Sequence, residues 1–257
     1  MTARDSRAVG TQPLETQPVG TQPVGTQPVG TQQVGEQPLP PLAVTDGDKA
    51  PPVTARGERT RAALIAAARR IFERDGFSDA RLTDITAEAK CSTGTFYTYF
   101  DSKEEVLDAV LALAHEDMLH PGLPHVETDP HEDPYAVLEA ANRAYFEAYK
   151  RNARLRLVLE QVTANIPEFR EKRRQRGLVF ATRNARHIKD LQDRGLADPE
   201  LDPLAAASAL SGMVSRMAYQ AFALGDNADL DQMVFTATRL WANAIGLRSG
   251  DRRPPRR

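Results

Sequence analysis

Apolar residues recur every three or four positions from about residue 57 to residue 247, which places them on one face of a helix. In ERTRAALIAAARRIFERDG, for example, Leu64, Ala68 and Ile71 share a face, and Gly76 is a candidate helix end. Pro and Gly fall between the apolar segments, and the sequence has no strand-like alternation of any length there. We predict an all-α fold of about nine helices, at 57–75, 82–89, 93–99, 103–119, 134–151, 153–165, 168–194, 203–224 and 229–247.

The front of the chain has a different composition. From Thr11 to about Pro40 it repeats a pentapeptide whose commonest form is TQPVG. This period is too short for a packed solenoid, and Pro, Gly and Gln bury too little apolar surface to offset the entropy of ordering. We predict a disordered tail over 1–55, either without a specific role or as a docking segment, and a basic disordered tail over 248–257.

Two short helices after the first one form a predicted helix-turn-helix. The segment LTDITAEA turns Leu82, Ile85 and Ala89 inward. A three-residue turn follows and ends at Ser92, a good N-cap for a helix over 93–99. The second helix of such a unit can enter the major groove of DNA. The same arrangement also occurs as a plain packing motif, so the spacing alone leaves both interpretations open.

The predicted exposed face of the second helix has suitable chemistry for DNA. Thr93 and Thr95 can hydrogen-bond base edges or phosphates, and Gly94 permits close backbone approach. Tyr97 and Tyr99 can reach phosphates through their hydroxyl groups. The next helix begins at a capping box of Ser102 and Glu105, and the adjacent Lys103 adds a positive charge at that helix N-terminus.

The run from Thr60 to Leu107 resembles the DNA-binding domain of the tetracycline-repressor (TetR) family of bacterial regulators. The resemblance is carried by IFERDGF, LTDITAEA and STGTFYTYFDSKEEVL, with one departure at Lys90-Cys91, where the family usually has Gly followed by an aliphatic residue. It implies that Thr83 caps the second helix against a phosphate and that Lys103 clamps the DNA backbone. The expected DNA-binding residues are Arg59, Thr83, Ser92, Thr93, Gly94, Thr95, Tyr97, Tyr99 and Lys103.

The family also has a variable C-terminal domain that binds a small effector and dimerises, which we expect over 106–247, after a DNA-binding domain over 56–105. The end of the chain looks like the family's last dimer helix, and Ala205, Ala209 and Gly212 give the preceding helix a side of small residues. Two helices from each subunit would then form a homodimer. The alternative is that these helices are buried against their own domain.

Aromatic and sulphur-bearing residues recur in the second domain and could line an apolar pocket between helices. The candidate effector residues are Tyr145, Tyr149, Phe180, Met213, Met217, Phe222 and Trp241. Each could equally be ordinary core. An effector bound there would be largely apolar, with an acyl or aromatic body. A weaker hypothesis assigns Arg170, Arg173, Arg174 and Arg176 to an anionic group such as the phosphate of an acyl-CoA.

The net charge of −2 at first argues against a DNA-binding protein. It is an average over unequal parts, because residues 56–74 carry six arginines against two acids, while 75–105 carry three bases against seven acids. Residues 106–149 have a net charge of −8 and residues 150–194 a net charge of +8. Arg56, Arg59 and Arg61 are therefore placed to meet the minor groove or phosphates as part of a local positive arm.

Other functional classes receive little support. The single cysteine, Cys91, excludes an internal disulfide framework and fits a reducing cytosol. Oxidation of Cys91 could weaken DNA binding, although a small buried apolar role is the more ordinary one. The segment between His115 and His131 is His- and acid-rich, but its spacing is irregular for a metal site, and an exposed loop is expected. No phosphate loop or nucleophile–base pair indicates an enzyme or a cofactor.

The sequence also has no apolar run long enough to span a membrane and no apolar signal stretch, which predicts a cytoplasmic protein without a membrane partner. We therefore expect a ligand-responsive DNA-binding regulator, most simply a repressor that a small effector releases from its operator. An effector-independent or architectural DNA-binding protein and an activator are the alternatives.

Overall fold

The structure is a computed structural model that describes residues 52, 54–119, 133–226 and 228–247. Within these ranges the chain is helical and has no strand, so the all-α prediction is confirmed. The helices are α1 (Ala55–Asp79), α2 (Leu82–Glu88), α3 (Thr93–Tyr99), α4 (Lys103–Leu119), α5 (Pro134–Arg151), α6 (Ala153–Asn165), α7 (Pro167–Asp193), α8 (Pro203–Ala218) and α9 (Leu230–Ala244). The pentapeptide repeat, the basic C-terminal tail and most of the His-rich segment lie outside the described residues.

The boundaries of α1 and α8 differ most from the prediction. Helix α1 starts at Ala55, two residues early, because the Thr54 hydroxyl caps it by accepting from the Gly57 N–H at 3.1 Å. The helix is broken at Gly76, whose φ of 76° lies in the left-handed region that glycine tolerates. The helix predicted over 203–224 ends at residue 218 and continues as a π-helical turn, Tyr219–Ala223.

The buried apolar side chains form two clusters. The first joins α1, α3, the first part of α4 and one face of α6, and its largest members include Phe72, Phe96 and Phe100. Phe96 and Phe100 lie one turn apart with their ring centroids 5.7 Å from each other, and both side chains anchor α3 in this cluster. This cluster continues past the predicted domain boundary at residue 105 into α4 and α6.

The second cluster joins α5, α7, α8 and α9. Phe146 and Tyr149 on α5 pack with Ile188 on α7 and Trp241 on α9. The buried Asn142 side chain donates to the Thr238 hydroxyl at 3.1 Å, so a polar pair on α5 and α9 is satisfied inside this cluster.

Helix α4 connects the two clusters. Its first half contributes Val106 and Leu107 to the first cluster, and its end contributes Met118 to the second. Between them lies the buried Asp108, whose carboxylate accepts from Lys172 Nζ at 3.1 Å and from Arg176 Nη2 at 2.9 Å, both on α7. A single rigid element therefore runs from the helix-turn-helix to the rest of the described chain.

Replacing Phe96 with Ala should lower the free energy of unfolding by about 3–5 kcal/mol, because the lost ring leaves a cavity in the first cluster. Tyr97→Ala on the same helix is the matched control, since its side chain is 50% exposed, and it should cost less than about 1 kcal/mol. Denaturant unfolding at one fixed protein concentration measures both. Equal losses would contradict the assignment of the buried and exposed faces of α3.

Candidate nucleic-acid interface and ligand cavity

The turn between α2 and α3 is closed by a Schellman motif. Lys90 adopts a left-handed φ of 55°, its N–H donates to Ala87 O, and the N–H of Cys91 donates to Thr86 O at 3.0 Å. Lysine at this position, where the family usually has Gly, carries strain because left-handed conformations disfavour residues with a Cβ. Cys91 is half-buried against the first cluster, and burial raises the pKa of its thiol, as expected for a small apolar role.

The N-terminus of α3 is capped by its own side chains. The Ser92 hydroxyl accepts from the Thr95 N–H at 3.1 Å and lies 2.9 Å from the Thr95 hydroxyl. The N-cap assigned to Ser92 is thereby confirmed. Because Thr95 is half-buried and Thr93 is exposed, Thr93 offers the more accessible hydroxyl of the two.

Gly94 and Tyr97 share the exposed side of α3. A Cβ added at Gly94 would meet only the Ser92 hydroxyl within 4 Å, at 3.7 Å, so the described part of the protein leaves this space open. The Tyr97 ring packs edge-on against Phe96, with centroids 5.6 Å apart, while half of its side-chain surface stays exposed. The helix therefore presents a narrow face of hydroxyl groups and one glycine, which suits close contact with a groove.

Three further residues predicted to bind DNA differ in their exposure and in their position on the helices. Arg59 is exposed on the first turns of α1. Tyr99 is half-buried, and its hydroxyl lies near Gly57 on α1. Thr83 is exposed at the second position of α2 and is not its N-cap, which is Arg81, while its expected contact with a phosphate stays a prediction.

Lys103 also departs from the expectation. Its Nζ donates to Phe77 O at 2.7 Å and to Ala80 O at 3.0 Å, and lies 4.4 Å from the centroid of the Phe77 ring. The ammonium thus satisfies carbonyls at the end of α1 and ties α4 to it, instead of being held out toward a phosphate. The capping box of α4 forms beside it, since Ser102 accepts from Glu105 N–H and the Glu105 carboxylate accepts from Asp101 N–H.

A cavity of about 910 Å³ lies between α4, α5, α6, α7, α8 and α9. Three of the predicted effector residues, Tyr145, Phe180 and Trp241, line it. The Tyr145 and Phe180 rings meet edge-on at 6.1 Å, and burial raises the pKa of the Tyr145 hydroxyl. The cavity has the size and the largely apolar wall of a small-molecule site.

The other four predicted effector residues do not line this cavity, and their assignment to it is corrected. Tyr149 is fully buried beneath the wall, where its ring lies 6.4 Å from that of Phe222. Met213 and Met217 pack against the second cluster, while Gly212 on the same helix faces the cavity. The sequence shows that these residues are apolar, but it does not show which face of α8 or α5 turns toward the space.

The cavity lining is more polar than the sequence indicated. Six arginines reach the cavity wall, together with three asparagines and two histidines: Arg156, Arg173, Arg174, Arg176, Arg183, Arg186, Asn142, Asn152, Asn184, His115 and His187. The excess of basic residues over 150–194 was the available signal. Arg170 lies outside this lining and donates from Nε to Thr163 O at 3.2 Å, near the end of α6.

The described residues contain no group of three or more His, Cys, Asp or Glu side chains that could hold a metal ion. His115 stacks edge-on against Phe180 at 5.1 Å, and residues 120–132 of the His-rich segment lie outside the described ranges. In the same part of the chain, no helix has the length and apolar character needed to cross a membrane.

Comparisons with known proteins agree with this geometry. Residues 64–110, from α1 into α4, match the family model described as bacterial regulatory proteins, tetR family. The HTH-type transcriptional regulator TtgR of Pseudomonas putida is 28% identical over 185 residues, which cover 67% of this chain and 85% of TtgR.

Two solved structures have the same fold. SmeT, the repressor of a multidrug efflux pump of Stenotrophomonas maltophilia, was solved with triclosan and matches with a TM-score of 0.63 and 25% identity, over 77% of this chain and 96% of SmeT. FadR of Bacillus subtilis in complex with stearoyl-CoA matches with a TM-score of 0.61 and 18% identity, over 72% of this chain and 98% of FadR. The family model, the curated regulator and the solved structures all indicate the TetR family of bacterial regulatory proteins, and the chain is a helix-turn-helix transcriptional regulator.

Proposed function

We propose that this chain is a homodimeric repressor of transcription in the cytoplasm, released from its operator by a small and largely apolar effector. The observation that carries the proposal is the arrangement of α4, which begins beside the helix-turn-helix and ends in the wall of a 910 Å³ cavity. A molecule in that cavity touches the same helix that supports the DNA-reading element.

DNA binding is supported by the face of α3. Ser92, Thr93, Gly94 and Tyr97 are exposed on one short helix, and Arg59 adds a positive charge from α1. In a helix-turn-helix dimer, each second helix enters a major groove, and the two half-sites are separated by about one helical turn, 10–10.5 bp, or a multiple of it.

Effector binding is supported by the cavity wall. Leu111, Ala114 and Met118 line it from α4, and Leu138 and Phe180 line it from α5 and α7. The SmeT and FadR structures carry triclosan and stearoyl-CoA, respectively. We infer a ligand with a large apolar body, for which an acyl chain or acyl-CoA is one candidate and an aromatic molecule another.

Dimer formation is supported by the outer faces of α8 and α9. Phe235 and Leu240 on α9 are 52% and 44% exposed, and Ala205 and Ala209 on α8 are also exposed, while Gly212 lines the cavity. Large apolar side chains beside a strip of small residues allow close helix packing across a two-fold axis. This surface is the one that the sequence indicated for a four-helix interface.

Changing the exposed hydroxyl groups of α3 should separate specificity from affinity. Thr93→Ala and Thr95→Ala should alter base preference, because such side chains contact base edges. Tyr97→Phe should weaken binding to all duplexes by about 1 kcal/mol, the value of one hydrogen bond. Selection from a random duplex library, followed by anisotropy titrations, measures both effects. Wild-type protein with steep salt dependence but no sequence preference would instead indicate an architectural DNA-binding protein.

Lys103 and Arg59 offer a matched pair of cations. For Arg59→Met, the slope of log K against log salt concentration should fall by about 1, because a phosphate contact is lost. For Lys103→Met, the slope should stay unchanged and the thermal midpoint should fall, because Nζ bonds carbonyls of α1. A reduced slope for Lys103→Met with an unchanged thermal midpoint would instead support a direct contact between Lys103 and a DNA phosphate.

Phe235→Glu should dissociate the dimer and weaken binding to a two-half-site operator. A buried interface aromatic contributes about 2 kcal/mol or more, and an introduced carboxylate adds a desolvation cost. Leu113→Glu on α4 is the control, because Leu113 is 57% exposed on another surface. Sedimentation over a concentration series measures both variants. A dimeric Phe235→Glu variant would argue against this interface.

A further inference from the structure

Three of the six arginines that line the cavity are already paired with carboxylates. Arg173 bonds Glu160 at 2.7 Å, Arg174 bonds Glu171 at 2.6 Å, and Arg176 bonds Asp108 at 2.9 Å. These ion pairs neutralise the basic rim that the sequence suggested as a phosphate-binding site. A polyanionic group would have to displace several internal carboxylates there.

Arg183 differs from these three. Its guanidinium donates to the carbonyl of Leu119 at the end of α4 and lies 5.4 Å from the centroid of the Phe180 ring. No carboxylate of the described residues lies within ion-pair distance of it. Burial lowers the pKa of this guanidinium, and no acidic neighbour within the described ranges offsets that effect. Four of its five N–H donors are left beyond the bond to Leu119.

Arg156 is the second cavity cation without a carboxylate partner among the described residues. It lies 5.2 Å from the centroid of the Tyr149 ring, and its Nε is 3.4 Å from the Tyr149 hydroxyl. Tyr145 is in ring contact with both Tyr149, at 6.0 Å, and Phe180, at 6.1 Å. The rings of Phe180, Tyr145 and Tyr149 therefore form one continuous aromatic cluster, which contacts Arg183 at one end and Arg156 at the other.

A buried cation is costly unless an anion accompanies it. The fork of a guanidinium fits the two oxygens of a carboxylate, and aromatic and aliphatic residues around Arg183 fit an apolar body. We propose that the cavity binds an amphipathic carboxylate, a single carboxylate on an apolar chain or ring system, with Arg183 as its anion-binding residue. The inference rests on the proposed role of the cavity as the effector site.

The charge of the site selects a monoanion. Arg173, Arg174 and Arg176 are neutralised by acids, and Arg186 also interacts with groups of the protein. The charge open to a ligand therefore comes mainly from Arg183, with Arg156 as an auxiliary cation at the other end of the aromatic cluster. A free carboxylate matches this charge. A CoA thioester has no charge at its acyl end, so it cannot pair with Arg183 there. Its phosphates would meet rim arginines that are already paired with carboxylates.

Calorimetry with matched probes tests the proposal. The probes are decanoate and decanamide, 1-naphthylacetate and 1-naphthylacetamide, and decanoyl-CoA. For the wild-type protein, at least one carboxylate should bind about tenfold or more tightly than its amide, which corresponds to about 1.4 kcal/mol. Arg183→Gln should bring that ratio close to one, while the affinity for the amide changes less than about threefold. Arg183→Lys should keep part of the preference.

Arg170→Gln is the control variant, because Arg170 also donates to a backbone carbonyl near a helix end but lies outside the cavity lining, and it should keep the preference for the carboxylate. Thermal unfolding of each variant shows whether it is folded. The proposal is overturned if neither carboxylate binds, if acid and amide bind equally in both pairs, if Arg183→Gln keeps the preference, or if decanoyl-CoA binds more tightly than decanoate regardless of Arg183.

Operator binding of the same samples separates this proposal from the proposed function. A protein that binds a selected duplex specifically, and releases it with a neutral ligand only, is a regulator whose ligand class we have assigned wrongly. If the protein binds carboxylates through Arg183 but binds no duplex specifically, the anion site is supported and the proposed regulatory function is wrong.

Discussion

The carboxylate of Asp108 is 6% exposed and lies between two cations of α7, Lys172 and Arg176. Breaking such a buried pair from one side costs about 3–5 kcal/mol, because it leaves an uncompensated charge. The middle of α4 is therefore fixed to α7. Everything that the fold places on α4, from the support of the helix-turn-helix to the wall of the cavity, depends on this fixed point.

The polar contacts at the two ends of α4 are weaker than the ion pairs of Asp108. At the N-terminal end, Lys103 satisfies carbonyls of α1, and at the C-terminal end the carbonyl of Leu119 accepts from Arg183. Net hydrogen-bond contributions of about 1–3 kcal/mol, with the larger values for charged groups, are easier to exchange than the central ion pairs. Both ends involve a cation and backbone carbonyls, so an anion that competes for either cation can change how that end is held.

The helix-turn-helix could be predicted almost residue by residue because its signals are local. Ser92 caps the helix that it precedes, Phe96 and Phe100 anchor it, and Lys90 closes the turn in a left-handed conformation despite its side chain. Caps and turns are decided within about one turn of helix, and such signals are legible in a single sequence.

The cavity could be predicted only in outline, because its wall depends on how six helices are rotated. Tyr145 and Tyr149 are one turn apart on α5, yet only Tyr145 lines the space. The apolar pattern indicates burial without showing which residues face a neighbour and which face a void. The segregated charges likewise did not show which arginines are paired. Arg176 is paired with Asp108, while Arg183 has no carboxylate partner in the described part of the chain.

If the cavity holds an effector, the structure constrains how the effector can act. A ligand shifts an equilibrium only by its difference in affinity between two states. Because the central ion pairs of α4 are costly to break, the state that the ligand favours keeps Asp108 in place, and α4 turns about that point. An anion that draws Arg183 away from Leu119 releases the C-terminal end of the helix. A movement of the opposite end would reach α1 through the bonds from Lys103 to its carbonyls.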